Sequence, residues 1–454
     1  MSLRVEEEDE SMPTPVATRA KVAAPARSFG FHRGASFASL LVGYAGYYLC
    51  RQNLSVAMTP MEAAHIATRD DLANIASFGV AAYALGKLTT GSLADAKGGR
   101  FAFFVGLAGA VVASLLFGCA GAGPLDRLGV SKPLLGMLFL AWGLNNFFQS
   151  MGWAGLVNVM SRWFPKKQYG TAMGFMSISY QAGAAIAVAF AGLLLAWKLE
   201  WRALFLIPAG VLAVVGAAVW PFLRSSPEDV GYPLPEATPA PVDEEESTYF
   251  SRLREVLTDR KFLVMCGLSF VLTLLRKCFE TWLPTYFGDL DVPAAAGAFK
   301  STVFPILGCV GTLAAGFVSD RWLEGRRAPV MAVFLVGTAL ALVGLSKLEP
   351  LTLLVGHVER ADLACVLVGV TGFFLLGSYS LVGGVAALDF GARRTAGTAA
   401  GLLDGVGYTG AALAGRGVAE AVKGFGWSGA YGIMAVLAIA GVAICGFLWN
   451  VKPK

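Results

Sequence analysis

Two arginines, Arg51 and Arg276, each stand well inside an apolar run of the roughly 20 residues a bilayer-crossing helix needs. A guanidinium keeps its proton in a protein, and placing one near the centre of a membrane helix costs on the order of 3 kcal/mol. Such a residue faces a wet cavity, a counter-charge or a bound anion. Further charges share the apolar runs: Lys87 in the second, Lys277 and Glu280 beside Arg276, and Asp404 near the end of the chain. Tyrosines accompany them at helical spacing. Tyr44, Tyr48 and Arg51 are i, i+4, i+7, and Tyr83 and Lys87 are i, i+4, so each set projects from one helix face.

Each of these residues also has a plainer reading. The arginines could be structural, paired to a carboxylate or to helix C-terminal carbonyls, and Lys87 could reach towards an interface. Glu280, four residues after Arg276, could form an ion pair within its own helix that holds the fork. Asp404, spaced i, i+4 with Tyr408, could pair with Lys277 across a cavity or read a ligand hydroxyl. Tyr47 reads as helix packing, and Arg416 has no evident role.

The elements that must position these groups follow from composition. The 454 residues are 56% hydrophobic and 15% charged, against about 45–50% apolar and about 25% charged in a soluble domain. This is a polytopic membrane protein. The net charge of +5 comes with no basic stripe outside the loops, which sets nucleic acid aside. Seven cysteines lie in or beside apolar runs with no CxxC spacing, and read as packing residues. The three histidines (His32, His65, His357) fall outside the spans, so no metal site, Cys-His nucleophile or intramembrane histidine relay is expected. Neither a cofactor nor an enzymatic constellation is expected.

Apolar runs predict twelve spans, near 37–58, 72–94, 101–121, 134–158, 170–196, 202–223, 262–287, 298–318, 328–347, 363–388, 396–421 and 428–450. Residues 1–35, acidic at Glu6 to Glu10 and then Ala/Pro/Arg-rich, read as a disordered tail without signal-peptide character. Residues 36–223 form one six-helix half and 262–454 the other, joined by the polar linker 224–261 with its acidic cluster Asp243 to Glu246. Basic groups at Lys97 and Arg100, at Arg162, Lys166 and Lys167, at Arg321, Arg326 and Arg327, and at Arg393 and Arg394 put those loops, the linker and both termini in the cytoplasm.

The halves repeat one another. GSLADAKGGR from Gly91 matches GFVSDRWLEGRR from Gly316, Gly-Thr-Ala at Gly170 recurs at Gly397, Trp201 recurs as Trp427, and Arg51 recurs as Arg276, all 225 to 227 positions later. The buried arginines are repeat mates. Paired halves of this kind place a site near the midplane between them, where the first and seventh helices face each other.

GSLADAKGGR resembles the loop signature of the major facilitator superfamily. Within it the chain is similar to the organophosphate:phosphate antiporters, the glycerol-3-phosphate and hexose-phosphate transporter type. GYAGYYLCRQN (from Gly43), FQSMGWAGLVNVMSRWFPKKQYGT (from Phe148), SPEDVGYP (from Ser226), LLRKCFETWLPTY (from Leu274) and AGTAAGLLDGVGYTG (from Ala396) resemble that family's motifs. The resemblance implies an all-α fold of twelve transmembrane helices in two pseudo-symmetric six-helix halves. It also implies that Arg51 and Arg276 bind a phosphoryl group, that Lys87 is nearby, and that Tyr44, Tyr48, Tyr83 and Tyr408 line the cavity. Two guanidinium forks suit a tetrahedral oxyanion of about −1.5 to −2 charge.

The chain departs from the pattern at four positions. Tyr180 stands where bacterial members carry histidine, Gln52 where lysine follows the first arginine, Thr281 at an acidic position next to Glu280, and Pro305 near an eighth-helix glutamate. These bear on substrate identity and coupling; Tyr180 and Asp404 join the candidate lining. Asp95 with Arg100, and Asp320 with Arg321, read as conformational latches between helix ends. The sequence thus predicts a monomeric secondary transporter of a bacterial inner membrane that exchanges an organic phosphate for inorganic phosphate. The alternatives are an ion-coupled transporter of another anion and a non-transporting sugar-phosphate receptor.

Overall fold

In lipid, every backbone N–H and C=O must be satisfied within its own segment, and the chain meets this demand with helices. The structure is a computed structural model that describes residues 28–120, 131–233, 258–323, 326–356, 358–382 and 396–449, with no strand among them. The first half contains α1 (Phe29–Tyr47), a 3-10 turn (Tyr48–Cys50), α2 (Asn53–Ala63), α3 (Arg69–Lys97), α4 (Gly99–Cys119), α5 (Ser131–Trp163), α6 (Lys166–Ala196) and α7 (Ala203–Val219). The second contains α8 (Arg260–Gly288), α9 (Ala294–Ser301), α10 (Val303–Trp322), α11 (Arg327–Ser346), α12 (Leu348–Val355), α13 (Arg360–Leu381) and α14 (Ala396–Phe447). These fill the twelve span positions: α1 and α2 share the first, α9 and α10 the eighth, and α14 makes the eleventh and twelfth around Gly426. That glycine, at φ +67°, breaks the helix where the chain turns back.

Seven of the described stretches are long and apolar enough to cross a membrane. Others, such as α5, carry buried Asn145, Asn146, Gln149 and Ser150, which face protein. Asn145 donates to the Ala110 carbonyl and to Ser114 and so ties the fourth span to the third. Leu140, Val214, Leu313 and Phe317 are exposed around the belt, where a lipid-facing surface requires apolar atoms.

Several boundaries differ from the sequence expectation. The first helix begins at Phe29, inside the expected tail, because Ser28 caps it by accepting from the Phe31 N–H. The short helix α12 was not expected. Residues 1–27, the acidic cluster 243–246, Arg393 and Arg394, and the side chains of Asp95 and Asp320 lie outside the described residues. Ser226–Pro233 does form a local structure. Ser226 and Asp229 make a reciprocal cap on a 3-10 turn, Gly231 turns left-handed, and Tyr232 packs edge-on to Phe29. The motif closes the end of the first half where the N-terminal segment lies.

The halves meet through the first and seventh spans, the second and eleventh, and the fifth and eighth. At the end away from the termini, called distal here, the seam is tight. A Cβ on Gly415 would stand 2.5 Å from both the Ala73 carbonyl oxygen and Ser77 Oγ, so only glycine allows this approach. Arg69 grips Asp289 with two parallel bonds of 2.8 Å, and Trp427 Nε1 donates to the same carboxylate at 2.8 Å. Bidentate geometry lifts such a pair above an ordinary surface ion pair. The hydrogen bond to Asp289 raises the pKa of Arg69 further. Arg416, unassigned from sequence, is part of this seam: it reaches Asn74 at 3.1 Å and Glu420 at 2.6 Å. All cross-half ion pairs near helix ends, among the described residues, are distal.

Asp289→Ala removes three bonds at once, and the distal ends part. Spin labels on the loops after the first and seventh spans then show a longer-distance population in pulsed EPR; an unaltered distribution refutes the seam.

Candidate functional site

The first span is broken at the residue that matters most. The sequence predicts one helix over 37–58, but α1 stops at Tyr47, a 3-10 turn follows, and α2 restarts at Asn53. Arg51 (φ −104°, ψ −33°) and Gln52 (φ −97°, ψ −2°) sit in the break. A break frees backbone groups that lipid cannot satisfy. Gln149 Nε2 on α5 donates to the Tyr47 carbonyl at 3.0 Å, and Asn53 Nδ2, just after the break, donates at 2.8 Å to the Leu204 carbonyl, which Pro208 leaves without a helical donor. Tyr47, expected only to pack, donates its hydroxyl proton to the Phe103 carbonyl. Neither proline nor glycine marks the break, and its dihedrals stay near the helical region, so periodicity alone does not reveal it. Gln149 carries the information, from a helix about a hundred positions away.

Arg51 is buried, 7% exposed, and forms no ion pair among the described residues. Its guanidinium lies 4.3 Å from the Tyr83 ring centroid and 5.2 Å from that of Tyr48, and it donates to the Tyr408 hydroxyl at 3.3 Å. Tyr83 and Tyr408 pack against each other at 4.6 Å, across the seam between the second and eleventh spans. Tyr44 packs on Tyr48 and on Trp153, behind the arginine. Lys87 is paired, with Nζ 3.1 Å from Asp404. Asp404 thus meets Lys87 across the halves and not Lys277.

Arg276 is equally buried, but its Nε donates to Glu280 Oε1 at 2.6 Å, the i, i+4 pair that the spacing allowed. Lys277 reaches the other oxygen of Glu280 at 3.3 Å. Because Nε takes the carboxylate, the two Nη groups keep their donors free of protein partners among the described residues. The guanidinium stacks near Tyr379 at 4.5 Å and Tyr180 at 5.3 Å. Gln52, next to Arg51, and Arg276 line one cavity, so the two arginines lie around one site. Four cationic side chains here meet two carboxylates, a surplus of two positive charges. A buried surplus of that size calls for a compensating negative charge.

Arg100 is elsewhere: it donates to the Trp220 carbonyl at 3.0 Å and covers that indole, holding the third span to the end of the sixth. Arg321 is exposed in the last turn of α10. Sequence reasoning missed Tyr379 and Trp153, which line the site from spans without a charged neighbour to mark them.

The family description of the Major Facilitator Superfamily matches residues 40–415. This chain belongs to the Major Facilitator Superfamily. It is 26% identical over 448 residues to the probable hexose phosphate transport protein of Chlamydia trachomatis, covering 94% of this chain and 93% of that one. It is 25% identical over 443 residues to the glycerol-3-phosphate transporter of Bacillus subtilis, covering 92% of each. The hexose-6-phosphate:phosphate antiporter of Salmonella typhimurium is 26% identical over 428 residues, with 90% of this chain and 88% of that protein covered. Among solved structures, a bacterial homologue of the human lysosomal transporter Spinster, inward-facing and occupied, superposes with a TM-score of 0.69 at 14% identity. It covers 93% of this chain and 97% of that one, and shares the superfamily's fold.

The Gln149 bond is testable as a stability term. Gln149→Ala removes the side-chain bond to the Tyr47 carbonyl, which keeps its 3-10 backbone bond, and costs about 0.5–1.5 kcal/mol, read as a lower melting temperature in detergent. An unchanged melting temperature shows that the break is held by other means.

Proposed function

We propose that this member of the superfamily exchanges an organic phosphate for inorganic phosphate by alternating access, and that Arg51 and Arg276 hold the phosphoryl group. The observation that carries the reading is the unneutralised Arg51, buried between the halves opposite an Arg276 whose Nη donors are unused. The surplus of two positive charges matches a phosphate of about −1.5 to −2. Two forks supply enough donors for its several oxygens. The curated relatives, named for hexose phosphate, glycerol-3-phosphate and phosphate exchange, support the same chemistry.

In this reading Tyr44, Tyr48, Tyr83, Tyr408 and Tyr180 shape the cavity and keep the guanidiniums in place, while the Lys87–Asp404 pair links the halves beside it. Phosphate draws the two cations together and lowers the barrier to the occluded state. Without it the two guanidiniums repel, the empty carrier switches poorly, and exchange becomes obligatory. The basic loops support cytoplasmic termini, which makes the distal seam external and the described arrangement closed to the outside. A single chain in a bacterial inner membrane suffices, the latter in keeping with bacterial relatives.

Reconstituted vesicles loaded with phosphate should take up labelled phosphate far faster than empty ones; equal uptake refutes exchange. Arg51→Lys and Arg276→Lys keep the charge but lose the fork. Loss of one charge-assisted bond of about 1.5–3 kcal/mol lowers exchange roughly ten- to a hundredfold. Wild-type rates in both variants refute the phosphoryl clamp.

A further inference from the structure

We infer that a chamber beside Arg276 receives the organic part of the substrate and selects a neutral, hydroxyl-bearing group over a carboxylated one. This rests on the exchange reading above and sharpens it. The chamber, about 30 Å³, lies between the first, fifth, seventh and eighth spans, with Leu376 of the tenth, and opens against Arg276 and Glu280. By this measure a single water needs about 10–15 Å³, so more than one water-sized group fits before the halves move. An ester oxygen on a phosphate held by Arg276 therefore has somewhere to send its carbon chain.

One lining residue carries a buried acceptor without a partner among the described residues. Gln181 is 2% exposed and lines the chamber, and its Oε1 has no hydrogen-bond partner. Its Nε2 is engaged, donating to Thr312 Oγ1 at 2.9 Å and to the Tyr180 hydroxyl at 3.3 Å. The orientation of the amide is fixed by its neighbour. The single hydroxyl proton of Thr312 goes to the Leu376 carbonyl, so Thr312 must accept from Gln181, and the nitrogen belongs on that side. What remains free is an acceptor. Buried acceptors are almost always paired, so this one awaits a donor.

The other polar wall groups point the same way. Glu280 is a carboxylate, Gln52 a neutral amide that is 4% exposed, and Ser55 and Ser301 are hydroxyls. The cations that could welcome a second anion are committed: Lys277 to Glu280 and Lys87 to Asp404. A sugar or polyol brings hydroxyl protons for Gln181 Oε1 and acceptors for the Gln52 amide. A carboxylate brings only acceptors, and would stand beside Glu280 and a lone pair that it cannot satisfy. Sites built around a substrate hydroxyl reject analogues that lack it more sharply than apolar pockets reject size.

The test is a competition panel. Labelled phosphate exchange in proteoliposomes is inhibited with glycerol-3-phosphate, glucose-6-phosphate and 3-phosphoglycerate. At least one neutral ester should inhibit at about a tenfold lower concentration than 3-phosphoglycerate, the equivalent of about 1.4 kcal/mol. Gln181→Leu should raise the inhibitory concentration of that ester, relative to unlabelled phosphate, by a similar factor. If 3-phosphoglycerate competes as well as both neutral esters, or if Gln181→Leu leaves the ratio unchanged, the inference is overturned. The wild-type panel decides the matter should the variant misfold. Should the wild type show no exchange, the transport reading fails by itself. Thermal shifts of the detergent-solubilised protein with the same three esters then still report whether the chamber prefers hydroxyl to carboxylate.

Discussion

A positive charge buried without a counter-ion in a membrane interior is the constraint on which the rest of this structure turns. Arg276 has Glu280, and Lys87 has Asp404, but Arg51 has only rings and a hydroxyl. Aromatic faces soften such a charge by a couple of kcal/mol at most, less than its desolvation demands. The deficit is tolerable in a site that is wet or filled, and intolerable in one that is dry and empty. The packing around it follows: tyrosines supply π-faces and polar tips, and the helix break puts the guanidinium in the gap between halves.

Much of this was legible in the sequence because charge in an apolar run is conspicuous. Arg51, Arg276, Lys87, Glu280 and Asp404 stand out by type alone, and the repeat offset pairs the arginines without any structure. The i, i+4 spacing of Arg276 and Glu280 allowed their ion pair as one of two readings, and it is the one that forms. What escaped was whatever depends on a partner distant in the chain. The break at residues 48–52 needs Gln149, the Lys87–Asp404 pair crosses the halves, and the seam joins Arg69 to Asp289. A polar residue in a helix announces that it has a partner, not which one. Tyr379 and Trp153 carried no such mark and remained invisible.

The departures from the family pattern gain meaning once they are placed. Gln52, Tyr180 and Pro305 are far apart in the chain, yet all three line the chamber beside Arg276. Each puts a side chain that is neutral near pH 7 where the resemblance implies lysine, histidine or glutamate, and they do so in one small volume. Substitutions scattered at random along a bundle of this size would not gather there. The arginines, by contrast, stand where the resemblance implies them.

The hydrogen bonds that fix the two arginines also decide what each moves with. Arg51 is set by a break that Gln149 and Leu204 stabilise, both in the first half, while Arg276 is locked to Glu280 on its own helix in the second. Neither side chain is anchored by a charge on the opposite half. As the halves rock, the backbone of each arginine travels with its own half, and Arg51 gives up its bond to Tyr408, which belongs to the other. The separation between the two arginines is then a built-in ruler: one distance that reads the position of the molecule along its cycle.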